Sequence, residues 1–283
     1  MTKKKKKNEI PYREAVISFI DILGFRELVA NSPDASSIRR ILSRLRNFTS
    51  PVKIDLDAGA PDAQSIAFSD SIVRVRFYDV EYATGAVFQE VHGLLLAQSE
   101  LAAENVLLRG GMTVGRVHLE GDMAFGPGFT RAYDLESQFA NFPRIILGPE
   151  VFAALRADPR LVAEHHDIED DVYYLRKFLE RGDDGFWFVD YLYSIADEMD
   201  KPENFQDLLA SHRNFAIAGA NAAPTHSRVL QKFLWLARYI DGVSKRRGYS
   251  DLRISQKDIS ALEELSETPD WASAEHSIRI DDL

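Results

Sequence analysis

Cysteine is absent from this 283-residue chain. A disulfide framework, a thiolate nucleophile and Cys-ligated zinc are therefore excluded. Long apolar runs are missing too. The longest, such as Ala15 to Ile20, are strand-sized and fall well short of the roughly 18 residues of a membrane span. Positive charge is scarce: Lys plus Arg total 34 against 44 for Asp plus Glu, a net charge of −10. A general grip on nucleic acid needs clustered positive charge, so that function is opposed. The one basic run, Lys3 to Lys7, has no apolar stretch behind it and reads as a solvated tail rather than a targeting signal. The expectation is a cytoplasmic protein with no membrane and no nucleic-acid partner. What is plentiful is core-forming material, at 45% hydrophobic residues, with 28% charged residues to solvate the surface.

Apolar periodicity sets out the elements. Ala15 to Ile20 reads as a buried strand that ends at Asp21. Helical spacing follows from Phe25 to about Phe48, broken near Pro33 and Asp34, and then a polar loop from Pro51 to Asp62. Ser65–Ser69 and Ile72–Phe77 read as two strands joined tightly through Asp70 and Ser71. The second alternates apolar residues with arginine, the pattern of a half-exposed strand. A long helical pattern spans Asp79 to Glu104, and Leu107 to His118 reads as a long strand interrupted by glycines. Strand, helix, strand, strand, helix, strand is the ferredoxin-like order, so the fold class expected is α+β with a βαββαβ core. Beyond it the spacing predicts a helix at Thr130–Ala140, a strand at Arg144–Leu147 and a short helix at Glu150–Leu155. It also predicts strands near Tyr173 and over Phe186–Leu192. From Phe205 onward the pattern is helical. The domain reading is a disordered basic tail over 1–12, a catalytic domain over 13–195 and a helical C-terminal extension over 196–283.

That topology gives two aspartates a joint meaning. Alone, Asp21 reads as a helix N-cap and Asp70 as a turn residue. In a ferredoxin-like sheet, however, the first and third strands are antiparallel neighbours, so Asp21 lies beside Asp70. Two carboxylates at one sheet rim repel unless a proton or a cation lies between them. Oxygen ligation without Cys or His suits Mg²⁺ or Mn²⁺, usually completed by water and phosphate. Leu23, Gly24 and Phe25, at the start of the following helix, offer backbone N–H groups to a phosphate.

At these residues the chain resembles the catalytic domain of the class III nucleotidyl cyclases. Phe19-Ile-Asp-Ile-Leu-Gly-Phe25 is similar to that family's F-x-D-I-x-G-F segment, and Phe68-Ser-Asp70 stands where it has I-G-D. Leu108-Arg-Gly-Gly-Met-Thr-Val-Gly115 resembles L-R-x-G-I-H-x-G. Phe125 to Ser137 aligns without gaps on F-G-x-x-V-N-x-A-x-R-L-E-S. The resemblance implies a head-to-tail homodimer with composite sites. It implies two Mg²⁺ or Mn²⁺ ions per site, held by Asp21, Asp70 and the carbonyl of Ile22, and a triphosphate contact from Arg109.

The departures matter as much. Thr130 replaces the family's Asn, and Asp134 replaces its transition-state Arg, leaving Arg131 and Arg144 as candidate substitutes. At the base-selecting positions stand Ile66 and Met123, neither able to hydrogen-bond a purine edge. Within the family the stretches Phe19–Phe25, Ala132–Ser137 and Phe142–Ile145 most resemble the pyrimidine cyclases of the Pycsar antiphage system. That implies UTP, or else CTP, as substrate, and a downstream effector reached only through the cyclic product. A degenerate cyclase-like module without catalysis is the rival, supported by Asp134. Four other features read as structural or solvated: His165-His166 with their neighbouring acids, Trp235, Lys177 and Arg181.

Overall fold

Eleven consecutive residues, Arg13–Leu23, form the central strand β1, and Ala15 to Ile20 are all buried. A strand buried on both faces needs a cover on each side. A computed structural model describes residues 10–47, 63–255 and 258–261 of the chain. Most of the basic tail and the Pro51–Asp62 loop lie outside those residues.

β1 is followed by two short helices, α1 (Phe25–Ala30) and α2 (Ala35–Asn47). Strands β2 (Gln64–Phe68) and β3 (Ser71–Phe77), helix α3 (Ala86–Ala103) and the 14-residue strand β4 (Leu107–Glu120) complete the core. Its strand order is β2-β3-β1-β4, with β1 antiparallel to both β3 and β4. That is the ferredoxin-like arrangement expected from the order of elements, and the fold class is α+β. The chain then adds β5 (Met123–Phe125), α4 (Pro127–Asp134) with a π-helical turn at Leu135–Phe139, β6 (Ile145–Leu147) and α5 (Pro149–Ala157). It continues with α6 (Ile168–Arg176), β7 (Leu179–Arg181), β8 (Trp187–Val189) and α7 (Tyr191–Ser194). β6, β8 and β7 widen the sheet beyond β4, and β5 folds back on the far end of β4.

The strand expected near Tyr173 is instead the helix α6. Asp167 caps it, accepting from the Asp170 N–H at 2.9 Å, and Glu169, Asp170 and Asp171 fill its first turn. Carboxylates there complement the helix dipole and override the local aromatic content. The strand expected over Phe186–Leu192 is shorter, ending at Val189 before α7.

Period-two alternation sorts the sheet into two faces. Ala15, Ile17 and Phe19 of β1 join Val73, Val75 and Phe77 of β3 in a cluster that Ala132 and Phe129 of α4 cover. On the opposite face, Ser18 stands beside Arg74 and Val16 beside Arg76. Both arginines are buried, which corrects the half-exposed reading of β3. The reason is Glu90 of α3: Arg74 Nε donates to Oε1 at 2.8 Å and Arg76 Nε donates to Oε2 at 2.8 Å.

The chain divides into two compact units, one up to Ser194 and one from Ile195. In the second, α8 (Pro202–Ala222) and α9 (Arg228–Arg247) pack through Ala220, Leu230 and Leu234. Ser227 caps α9, and Gly248 closes it in the left-handed conformation after Lys245, Arg246 and Arg247. Among the described residues no helix is long and apolar enough to cross a membrane.

Burial by itself would raise the Glu90 carboxyl, but the charges of Arg74 and Arg76 outweigh it and hold it at about 2. A depressed carboxylate contributes stability above its unfolded value of 4.5 and loses it as pH falls towards 2. Denaturant melts should therefore show wild-type stability declining across that window and a flatter profile for Glu90→Gln. At neutral pH, Glu90→Ala should cost about 3–5 kcal/mol, because it strands two buried guanidiniums.

Candidate active site

β1 runs two residues beyond Asp21, and pairing places Asp21 opposite Ser71 on one side and Arg109 on the other. Asp21 shares its face of the sheet with Ile17 and Phe19, so its carboxylate projects beside α4 rather than α3. It does not cap α1, whose N-cap is Gly24 at φ 79° with no side-chain bond. Asp70 occupies the tight β2–β3 turn, where Ser69 adopts φ 52°. Its carbonyl accepts from the Ile22 N–H at 3.2 Å, which fixes the turn against the end of β1. The two aspartates that the topology predicted as neighbours are thus brought together.

Four charged groups make the site. Ser71 Oγ donates to Asp21 Oδ1 at 3.0 Å, while Arg109 reaches Asp21 Oδ2 through Nε at 3.3 Å and Nη2 at 3.2 Å. Arg109 Nη2 also lies 2.7 Å from Glu136 Oε1, an ion pair whose angles fall outside a hydrogen bond. Glu136 is almost wholly buried. Burial raises the Asp21 carboxyl above its ordinary range; Ser71 and Arg109 pull it back, and the Asp70 charge lifts it further. Burial likewise raises Glu136, against the pull of Arg109 and with added repulsion from Asp21 and Asp70. One guanidinium facing three carboxylates leaves an excess of negative charge.

That excess fits a hard divalent cation. Asp21, Asp70 and the Ile22 carbonyl supply oxygen donors only, the set preferred by Mg²⁺ and Mn²⁺. Among the described residues no cluster of three or more His, Asp or Glu side chains forms a ready metal cage. Water and phosphate oxygens would have to complete the shell, as is usual for Mg²⁺. The His165-His166 stretch has its own role: His166 Nδ1 lies 2.8 Å from Asp171 Oδ1, and its ring stacks on Tyr174.

Glu136 and Ser71 were not singled out from the sequence. Glu136 lies in the Ala132–Ser137 stretch, so the signal existed, but only packing shows where it points. The π-helical turn that carries Glu136 sits directly over β4 because position 111 is glycine. A Cβ there would meet the Leu135 Cβ at 2.3 Å and the Glu136 nitrogen at 2.9 Å.

The other expected residues lie apart. Gly24 leaves the first turn of α1 open, with nothing within 4 Å of where a Cβ would stand. Leu23 is the last residue of β1, paired with Leu107, and Phe25 opens α1. Ile66 is buried within its own chain. Met123 is 53% exposed and pairs with Glu120, eleven residues along β4 from Arg109. At about 3.3 Å per residue that separation is roughly 36 Å. Met123 and Asp21 of one chain therefore cannot contact one small ligand.

Among the arginine candidates, Arg144 has a side chain only 1% exposed and is paired with Asp184. Arg131 stays at the surface of α4, one turn before Asp134, with Nε 2.8 Å from Glu150 Oε1. Thr130 is exposed beside it. Asp134 accepts from Gln138 at 3.0 Å.

Gly111→Val should force the Leu135–Phe139 turn off β4 and lower stability by about 1–3 kcal/mol, the usual cost of overpacking. Denaturant unfolding measures the loss, and Gly121→Ala, in open space but at φ 59°, gives a comparison dominated by backbone strain.

Neither a protein-family model nor a curated protein matches the chain. Solved structures do. One is the catalytic core of a rhodopsin-guanylyl cyclase with converted specificity in complex with ATPalphaS. It matches at 13% identity and a TM-score of 0.40, over 53% of this chain and 84% of that one. A class III adenylyl cyclase-like ATP-binding protein from Pseudomonas aeruginosa matches at 13% identity and TM-score 0.37, over 58% of this chain and 40% of its own length. An adenylate/guanylate cyclase/hydrolase from Silicibacter pomeroyi matches at 16% identity and TM-score 0.37, over 64% and 98%. At these TM-scores the likenesses carry no weight for this chain's chemistry, and its fold class rests on its own strand order.

Proposed function

We propose that this chain is a nucleotidyl cyclase of the class III type, acting on a pyrimidine nucleoside triphosphate, UTP ahead of CTP. In the reaction the ribose 3′-oxygen bonds to the α-phosphorus, the bond from that phosphorus to the bridging oxygen breaks, pyrophosphate leaves and the 3′-hydroxyl proton passes to water. The observation that carries this reading is the rim of β1, where Asp21 and Asp70 meet beside Arg109 and Glu136 with uncompensated negative charge. Two divalent ions, when bound there, would neutralise the triphosphate and acidify the 3′-hydroxyl.

The chain's own residues do the rest. Asp21 and Asp70, with the Ile22 carbonyl, hold the cations. Arg109 is kept in place by Asp21 and Glu136, ready to exchange a carboxylate for a phosphate oxygen. A homodimer is part of the proposal. One chain holds Met123 far from its own Asp21 and Asp70, so a second copy must present it. The exposure of Phe68, Met123, Phe125 and Tyr133 supports such a face. Met123 offers no hydrogen bond to a purine, in keeping with a pyrimidine substrate. Arg131 is the arginine proposed to face the reacting phosphate, released from Glu150 by the incoming charge. Production of a cyclic pyrimidine messenger for an antiphage effector rests on the resemblance of Phe19–Phe25 and Ala132–Ser137 alone.

A second reading, a nucleotide-binding module without turnover, is favoured by Asp134, a carboxylate where an arginine would face the transition state. The two separate in one assay. Purified protein with Mn²⁺ and each of ATP, GTP, CTP and UTP should give a phosphatase-resistant product from UTP or CTP. Nucleotide binding without product from any of the four would establish the module instead. Asp21→Ala and Asp70→Ala should each abolish turnover while circular dichroism stays unchanged. Arg131→Ala should lower kcat by about 10³-fold, the order associated with an arginine at a transferring phosphoryl group.

A further inference from the structure

At the sheet edge remote from β1, helices α5 and α6 and the β7–β8 hairpin enclose a cavity of about 470 Å³. That is within the size range of small-molecule sites. Each wall comes from one coherent face. Pro149, Phe152 and Arg156 lie on α5 at spacings of three and four, as do Val172, Leu175 and Arg176 on α6. Leu179 and Arg181 share one face of β7, and Trp187 lies across from Arg181 on β8. Regular elements therefore build most of the lining, and Asp184, Gly185 and Phe186 of the β7–β8 turn complete it.

Its chemistry is divided between flat apolar rings and cations. Phe152 and Trp187 pack with ring centroids 6.1 Å apart, and Phe186 adds a third ring. Arg156, Arg176 and Arg181 bring three guanidiniums, none of them paired with a carboxylate among the described residues. Arg156 Nη1 meets only the Phe152 carbonyl at 3.5 Å, and Arg181 Nε meets the Gly185 carbonyl at 3.4 Å. The one carboxylate in the lining, Asp184, is already neutralised by Arg144. Elsewhere in this unit, Arg109 and Arg131 are both spent on carboxylates. A cavity that keeps three guanidiniums free beside aromatic rings is suited to a ligand with a planar ring and a phosphate.

We infer that this cavity is a second binding site, selective for a nucleoside phosphate and independent of divalent metal. The site goes beyond the proposed catalytic function and stands whether or not that function holds. Within the sheet, β4 stands between β1 and the cavity's nearest strand, β6, and the two sites share no residue, so they are tested apart. Equilibrium dialysis of the full chain in EDTA, with radiolabelled UMP and AMP as probes, should give saturable binding of either at one site per chain. Uridine and adenosine should bind at least tenfold more weakly. Arg156→Glu with Arg176→Glu, and Arg176→Gln alone as a milder change, should each weaken binding, the double variant by at least tenfold, with melting temperature unchanged. Asp70→Asn should leave it intact. Three results would overturn the site: no saturable binding up to millimolar nucleotide, affinity indifferent to both arginine changes, or loss of binding in Asp70→Asn.

Discussion

The antiparallel pairing of β1 with both β3 and β4 is the constraint on which the rest depends. It aligns Asp21 with Ser71 on one side and with Arg109 on the other, and it ties the Asp70 turn to the Ile22 N–H. A slip of one residue in either register would turn Asp21 to the α3 face and remove it from all its partners. Register here is held by burial, since Ala15 to Ile20 are covered on both faces and each face has its own complement of partners.

The same strands carry two polar networks, one on each face. Behind the sheet, the single Glu90 carboxylate bonds both Arg74 and Arg76 in a fully buried setting. At the rim, Arg109 serves Asp21 and Glu136 together while Asp70 adds repulsion. The first network is closed and contributes to the fold. The second is left short of positive charge and partly open to solvent.

Helix α5 connects two regions that the sequence leaves unrelated. Glu150, in its first turn, holds both Arg131 and the buried Thr113 hydroxyl. Two residues further on, Phe152 forms a wall of the arginine-lined cavity. The helix is anchored by β4 contacts on one side and by the cavity's aromatic rings on the other. The polar bond that restrains Arg131 and the apolar packing around Trp187 thus belong to one short element.

Much of this was legible in the residues. Strand and helix periods gave the βαββαβ order, and that order placed Asp21 beside Asp70 because strand adjacency follows from topology. Short-range chemistry was readable as well, as with the break at Pro33 and Asp34. Other features were not. The burial of Arg74 and Arg76 depended on Glu90 arriving from a separate helix, and the helical state of Ile168–Arg176 on a capping aspartate outweighing aromatic content. Glu136 reached Arg109 only because glycine at position 111 lets a π-helical turn settle on β4, and Arg144 was claimed by Asp184 forty residues away. Local sequence determines periods, caps and turns, since those interactions span a few residues. Which charge meets which across the fold is decided by packing, since only the assembled structure sets the distances and the loss of solvent that give such pairs their strength.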